Sequence, residues 1–269
     1  MLVAFLIVLA LLVLYLLALQ GRTQHPLLRK LRKWKYAHRG LHGEKAPENS
    51  MAAFRLAVDH GFGMELDVHL MADGELAVLH DSSLMRMTNA DVRIEDLTAE
   101  QLQNYRLAGT DESIPTFRQV LELVNGKVPL IVELKSVDNN YATLAQSACR
   151  LLDDYKGLYC IESFDPRCIR WLKINRPEIV RGQLAHNSLR EKEGNVPLIL
   201  RFCMTNLLSN FWNRPDFIAY RFVDRMGLSV RLCRKLWKVQ GVSWTLRSQT
   251  ELDTAISENW IPIFEGFRP

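Results

Sequence analysis

From about Trp34 onward, short β-rich runs alternate with amphipathic stretches, and no feature restricts the fold more than this alternation. The runs are Tyr36–His38, Met64–Val68, Leu130–Leu134, Tyr159–Ser163, Val180–Leu184, Phe217–Phe222, Val242–Leu246 and Ile261–Phe264. They number eight if Glu75–His80, which returns after the Asp73-Gly74 turn, counts as an insertion. Strands separated by helical crossovers pair in parallel. The expected fold is therefore α/β, a (β/α)8 barrel in preference to an open doubly wound sheet. About 236 residues remain after position 33, without a Gly/Ser or Pro-rich linker or an internal repeat, so one domain is expected over 36–269.

Local signals punctuate the helices. Asn49 or Ser50 can cap Ala52–His60, with Gly61 closing it. Pro115 is placed as a first-turn proline for Thr116–Val124. Asp165-Pro166 opens Arg167–Asn175 as cap and first residue. Val196–Trp212 reads as an amphipathic helix, with Cys203, Met204, Leu207, Leu208 and Phe211 on one face. An outer barrel helix is the expected role for it, and docking on lipid the rival one.

A barrel of this kind puts functional side chains at the C-terminal ends of its strands. His38 ends the first run, Glu65 and Asp67 the second, Glu133 and Lys135 the third, and Ser163 and Trp244 two later ones. Alternation sends Glu65, Asp67 and His69 to one side and Leu66, Val68 and Leu70 to the other. A single Glu-x-Lys pair is ordinarily a salt-bridged strand end. Three carboxylates at neighbouring ends repel one another and need a cation, so Glu65, Asp67 and Glu133 are expected to bind one divalent ion, Ca2+ or Mg2+. Lys135 adds charge for an anionic substrate. His38 and His80 are the acid/base candidates, because imidazole titrates near neutrality. His42 and His69 are expected to support the site from behind, and His25, His60 and His186 to lie on the surface.

The first nineteen residues are almost wholly apolar. A helix over Leu2–Leu19 would span roughly 27 Å, near the thickness of a bilayer's hydrocarbon. No Lys or Arg precedes it and Leu17-Ala18-Leu19-Gln20 is a poor cleavage site, which favours a retained anchor over 1–20 above a cleaved signal peptide. A basic linker over 21–35 follows, with Arg22, Arg29, Lys30, Arg32, Lys33 and Lys35 and no acidic residue before Glu44. The positive-inside rule then places the remaining chain in the cytoplasm. Without those six, 28 basic residues (34 minus 6) face 30 acidic ones, so the domain is near neutral. The basic excess accordingly argues for lipid headgroups as partners of residues 1–35 and not for nucleic acid; no protein partner is expected. Five widely spaced cysteines form no CxxC pair and suit buried free thiols in a reducing compartment.

Taken in order, Ala37-His38-Arg39-Gly40, Pro47-Glu48-Asn49-Ser50, Glu65-Leu66-Asp67-Val68, Asp73-Gly74 and His80-Asp81 resemble the glycerophosphodiester phosphodiesterase family. Leu84-x-Arg86-x-Thr88, Ile114-Pro115-Thr116, Glu133-Leu134-Lys135, Ser163-Phe164-Asp165 and Trp244-Thr245 continue the resemblance to about residue 265. It implies a TIM barrel that uses a divalent cation to hydrolyse glycerophosphodiesters to glycerol 3-phosphate and an alcohol. It also implies His38 and His80 as the acid/base pair, Glu65, Asp67 and Glu133 as metal ligands, and Arg39 and Lys135 as phosphate-facing cations. Glu48 falls near glycerol and metal, and Trp244 is placed in the substrate pocket. The last run departs from the family's Thr-Asp-x-Pro, reading Phe264-Glu265-Gly266-Phe267. The segment between His80 and Glu133 is short for a cap over the glycerol pocket, which leaves room for a lipid. Two rival readings are lysophospholipase D cleavage of lysoglycerophospholipids and a non-catalytic membrane-bound scaffold.

Overall fold

The structure is a computed structural model, and it describes residues 1–191 and 196–269. Among the described residues there are nine strands: β1 (Tyr36–Ala37), β2 (Gly63–Leu70), β3 (Leu76–Val78), β4 (Leu130–Leu134), β5 (Tyr159–Ser163), β6 (Arg181–Ala185), β7 (Phe217–Arg221), β8 (Gln240–Leu246) and β9 (Trp260–Phe264). Eight run parallel, and β1 pairs with both β2 and β9, which closes the barrel. β3 is the expected insertion, antiparallel to the end of β2 with Val68 opposite Val78.

The barrel has two apolar compartments because strand residues alternate in direction. Leu66, Val68, Val132 and Leu134 pack outward with Phe54, Phe117 and Leu144 from the surrounding helices. Ile131, Val180, Phe217, Val242 and Ile261 belong to the inner compartment. Leu28 and Leu31, from the helical turn Leu28–Leu31, join them and cover the end of the barrel where the strands begin. The hydroxyl of Tyr36 donates to the carbonyl of Leu31 and ties this floor down. Gly182 has no side chain in a place the Phe217 ring fills.

The expected caps are present with one change. Ser50 Oγ accepts from the Ala53 amide to start Met51–Asp59, and Asp165 accepts from the Arg167 amide to start Pro166–Asn175. Pro115 is not in the first turn, as expected, but before the helix: Thr116 caps Phe117–Val124, its side chain and that of Gln119 forming a reciprocal capping box. Val196–Trp212 is not one helix. Leu198–Thr205 stops at Asn206, Leu207 turns left-handed at φ 56°, and a separate turn follows at Asn210–Asn213. That break sends Leu207 into the core and leaves Phe211 outside.

The N-terminal helix α1 covers Leu2–Ala18. Among the described residues no helix is long and apolar enough to cross a membrane, so the expected transmembrane anchor is not supported. The barrel claims the end of that apolar stretch. Leu19 is fully buried, the Leu16 carbonyl accepts from the Trp237 indole, and the Leu19 carbonyl accepts from Cys233. Residues 1–14 stand exposed. Arg22 is likewise drawn into the floor, donating to both carboxylate oxygens of Asp216. Four of the five cysteines are buried and all five are free thiols.

Candidate active site

Glu65 and Asp67 on β2 and Glu133 on β4 face the barrel interior at the ends where strands emerge, with Asp67 in register with Glu133. One carboxylate oxygen from each lies within 4.8 Å of the others, and all three residues are buried. Lys135 Nζ stands 3.0 Å from Asp67 Oδ1 and 2.8 Å from Glu133 Oε1. Arg39 donates its amide to Glu65 Oε2 at 3.0 Å and a guanidinium N–H to Glu48 Oε1 at 2.8 Å. Asn49, fully buried, donates to Asp67 Oδ2 at 2.8 Å.

The electrostatics separate these carboxyls. Burial, then repulsion from Asp67 and Glu133, holds Glu65 well above the ordinary carboxyl range. Burial likewise pushes Glu133 up to about 7, against the opposing charge of Lys135. Asp67 is as deeply buried, yet Lys135, His80, Arg39 and the Asn49 hydrogen bond together carry it below its usual value. Glu162 on β5 is a fourth buried carboxyl, opposite Glu133 in register, and burial raises it too. Four buried carboxylates thus face two half-buried cations, Arg39 and Lys135. Asp67 Oδ1 and Glu133 Oε1 share the one Lys135 ammonium. Oxygen ligands at this spacing and a deficit of positive charge fit a hard divalent cation.

Each histidine is held through Nδ1. His38, just past β1, has Nδ1 2.7 Å from Glu265 Oε2 and Nε2 3.8 Å from Glu65 Oε2. His80 has Nδ1 2.7 Å from Asp81 Oδ1. A carboxylate on Nδ1 fixes the tautomer and leaves Nε2 to exchange protons. Burial lowers the pKa of both rings; Glu265 opposes this at His38 and Asp67 opposes it at His80. Arg86 joins the two halves, donating to Asp81 Oδ2 at 2.5 Å and to Glu48 Oε1 at 2.6 Å.

All the expected residues but one meet around this cluster. Trp244, on β8, stands apart from the carboxylates and packs edge-to-face on Phe164, with ring centroids 5.8 Å apart. His186 corrects its expected surface position: it is buried against the same two aromatics. His69 supports the site from behind, bonding Glu95 through Nδ1 and the His80 carbonyl through Nε2. His42 groups with His38 and Glu265. Sequence reasoning passed over Glu162 and the role of Asn49. The alternation of Cys160 and Glu162 with their neighbours was the available signal for the first.

Residues 38–229 match the model of the glycerophosphoryl diester phosphodiesterase family. The chain belongs to that family. It is 34% identical over 167 residues to a glycerophosphodiester phosphodiesterase of Caldanaerobacter subterraneus subsp. tengcongensis, an alignment covering 58% of this chain and 68% of the relative. With glycerophosphodiester phosphodiesterase 1 of Homo sapiens it shares 38% over 240 residues, 83% of this chain and 67% of that one. A lysophospholipase D of Rattus norvegicus is 36% identical over 133 residues, 45% of this chain and 41% of the relative. In fold the chain is similar to an Oleispira antarctica phosphodiesterase solved with the product sn-glycerol-3-phosphate, with TM-score 0.71 and 21% identity over 86% of this chain and 92% of that one. Family membership makes the chain an enzyme, a phosphodiesterase of glycerophosphodiesters, and the scaffold reading falls away.

Proposed function

We propose that the site hydrolyses glycerophosphodiesters to glycerol 3-phosphate and an alcohol, with one Ca2+ or Mg2+ held by Glu65, Asp67 and Glu133. The observation that carries this reading is the convergence of three buried carboxylates on one point between two carboxylate-held histidines. A cation there would neutralise the non-bridging phosphate oxygens. Arg39 and Lys135 offset further charge on the phosphoryl group. One imidazole takes a proton from the nucleophile at Nε2, and the other gives one to the leaving alkoxide. Glu265 and Asp81 steady the imidazolium each ring becomes. Glu48, fixed between Arg39 and Arg86, faces the glycerol, and Trp244 with Phe164 forms an apolar wall of the pocket.

The exposed part of α1 is read as a membrane anchor that inserts into lipid. Residues 2–14 would reach roughly 20 Å at 1.5 Å per residue, enough to enter one leaflet. Arg29, Lys30, Arg32 and Lys33 are exposed on the barrel floor. By the positive-inside rule the catalytic domain belongs on the cytoplasmic side. The lysophospholipase D reading is favoured by that anchor and by the aromatic wall, which can receive an acyl chain.

A panel of diesters tests the assignment. Glycerophosphocholine should give glycerol 3-phosphate and choline, and lysophosphatidylcholine should give lysophosphatidate and choline. Release of phosphocholine, or no turnover of any diester with either metal, contradicts it.

A further inference from the structure

The opposite side of the barrel mouth from the carboxylates is apolar and uncovered. Leu198 and Ile199 are each 70% exposed, and Phe202 follows on the same short helix. Val223 at 65%, Met226 at 60% and Leu228 at 65% extend the patch across the segment after β7. Both segments follow strands, β6 and β7, so both lie at the catalytic end of the barrel. Six large apolar side chains together are more than a monomer in water usually exposes.

One residue ties these parts to the anchor. The Ser229 hydroxyl donates to Asn206 Oδ1, just past Leu198–Thr205, at 2.7 Å and receives the Tyr15 hydroxyl at 2.8 Å. Contacts of α1 climb the helix Leu228–Leu236 from Cys233, reached by Leu19, to Ser229, reached by Tyr15. Beyond Tyr15 the apolar residues of α1 therefore continue upward past the strand ends, on the side of the patch. The exposed basic residues 29–33 lie at the other end of the barrel.

We propose that this rim is a membrane-docking face: Leu198, Ile199, Phe202, Val223, Met226 and Leu228 sink into the same leaflet as α1, so that the catalytic mouth opens onto the bilayer. Continuity with a wholly apolar helix selects lipid as the occupant over a second copy of the chain. Arg190 and Arg231, exposed beside the patch, suit anionic headgroups. Phe164, which lines one cavity with Glu133 and Lys135, and Trp244 packed on it would take the acyl chain of a substrate drawn from the membrane. The basic floor then points to the cytosol, the reverse of its expected contact with headgroups. This inference rests on the diesterase reading for its substrate but not for its geometry.

The test uses the full chain with Cys203→Ser, the other four thiols being buried. An environment-sensitive fluorophore is placed at Ile199→Cys, Met226→Cys or Lys30→Cys, and vesicles of phosphatidylcholine and phosphatidylglycerol carrying nitroxide lipids are added. Quenching several-fold at 199 and 226, with none at 30, is expected. Quenching at 30 alone, at no site, or a spectral shift at 226 that follows protein concentration without vesicles, overturns the proposal; the last marks a second copy as the occupant. In parallel, Ile199→Ser, Phe202→Ser, Met226→Ser and Leu228→Ser combined should keep turnover of soluble glycerophosphocholine. They should lower turnover of vesicle-borne lysophosphatidylcholine about tenfold or more. Equal loss on both substrates counts against docking. If the parent cleaves neither, the diesterase reading fails, while the quenching pattern still decides the docking face.

Discussion

The mouth of this barrel has two unlike arcs. From β1 through β5 it presents His38, Glu65, Asp67, Glu133 and Glu162, all but His38 buried, beside Arg39 and Lys135. From β6 to β7 it presents aliphatic and aromatic side chains to the outside. The first arc is costly to build, since a buried charge is tolerated only when paired. The network from His80 through Asp81, Arg86 and Glu48 to Arg39 meets that demand. The second arc buries one carboxylate, Asp224, paired with Arg221 and Arg190, and leaves apolar area in water. Catalytic charge and exposed apolar area thus lie on separate sides of one opening, and the barrel's strand order sets the separation.

Removing the histidines tests the charged arc most severely. His38→Ala and His80→Ala should each lower kcat by about 10²–10⁴. Their double variant should be far less impaired than the product of the singles, because the two act on one proton path. A nitrophenyl diester, which leaves without protonation, should rescue the variant lacking the acid and so assign the roles. Steady-state kinetics with near-normal turnover in either single variant would separate that histidine from the chemistry.

A smaller change sharpens the same side. Glu265→Gln keeps the shape but removes the charge that holds His38, and should cost roughly tenfold in kcat. Because Glu265 raises the His38 pKa against the lowering effect of burial, the pH-profile limb that belongs to His38 should move to lower pH. A profile that does not move would make Glu265 merely structural.

The smallest expected effect is on stability. Glu65 and Glu133 are raised by burial first, Glu133 to about 7. A carboxyl raised in the folded state contributes stability below its unfolded pKa and loses it as pH rises through the folded one. Chelated protein should therefore lose several degrees of Tm between about pH 5 and 7.5, at roughly 2–4 °C per kcal/mol. Added Ca2+ or Mg2+ should restore most of that loss, which scanning calorimetry reads directly.

The two arcs also differed in how far they could be read from residues alone. Charged side chains interrupting apolar runs at a period of two mark the inner face of a strand, so Glu65, Asp67, Glu133 and Lys135 were legible, as was the turn returning His80. Glu162 was not, because Ser163 beside it offered an equally polar strand end. On the other arc, apolar residues carry no sign of whether they face a core or the outside. Leu207 and Phe211 fit one helical stripe on paper, yet the left-handed turn at Leu207 sends them apart. The bounds of the apolar N-terminal segment were missed for a related reason: hydropathy over residues 1–20 does not reveal that Leu19 is spent on the barrel.

The central claim is that Glu65, Asp67 and Glu133 hold a divalent cation on which turnover depends. Titration calorimetry of the chelated full chain with Ca2+ and with Mg2+, run beside glycerol 3-phosphate release, tests it most directly. One ion per chain should bind, activity should rise in step with occupancy, and Asp67→Asn should weaken binding and turnover together by tenfold or more. Full release of glycerol 3-phosphate in excess chelator, or unaltered metal affinity in Asp67→Asn, would contradict the account.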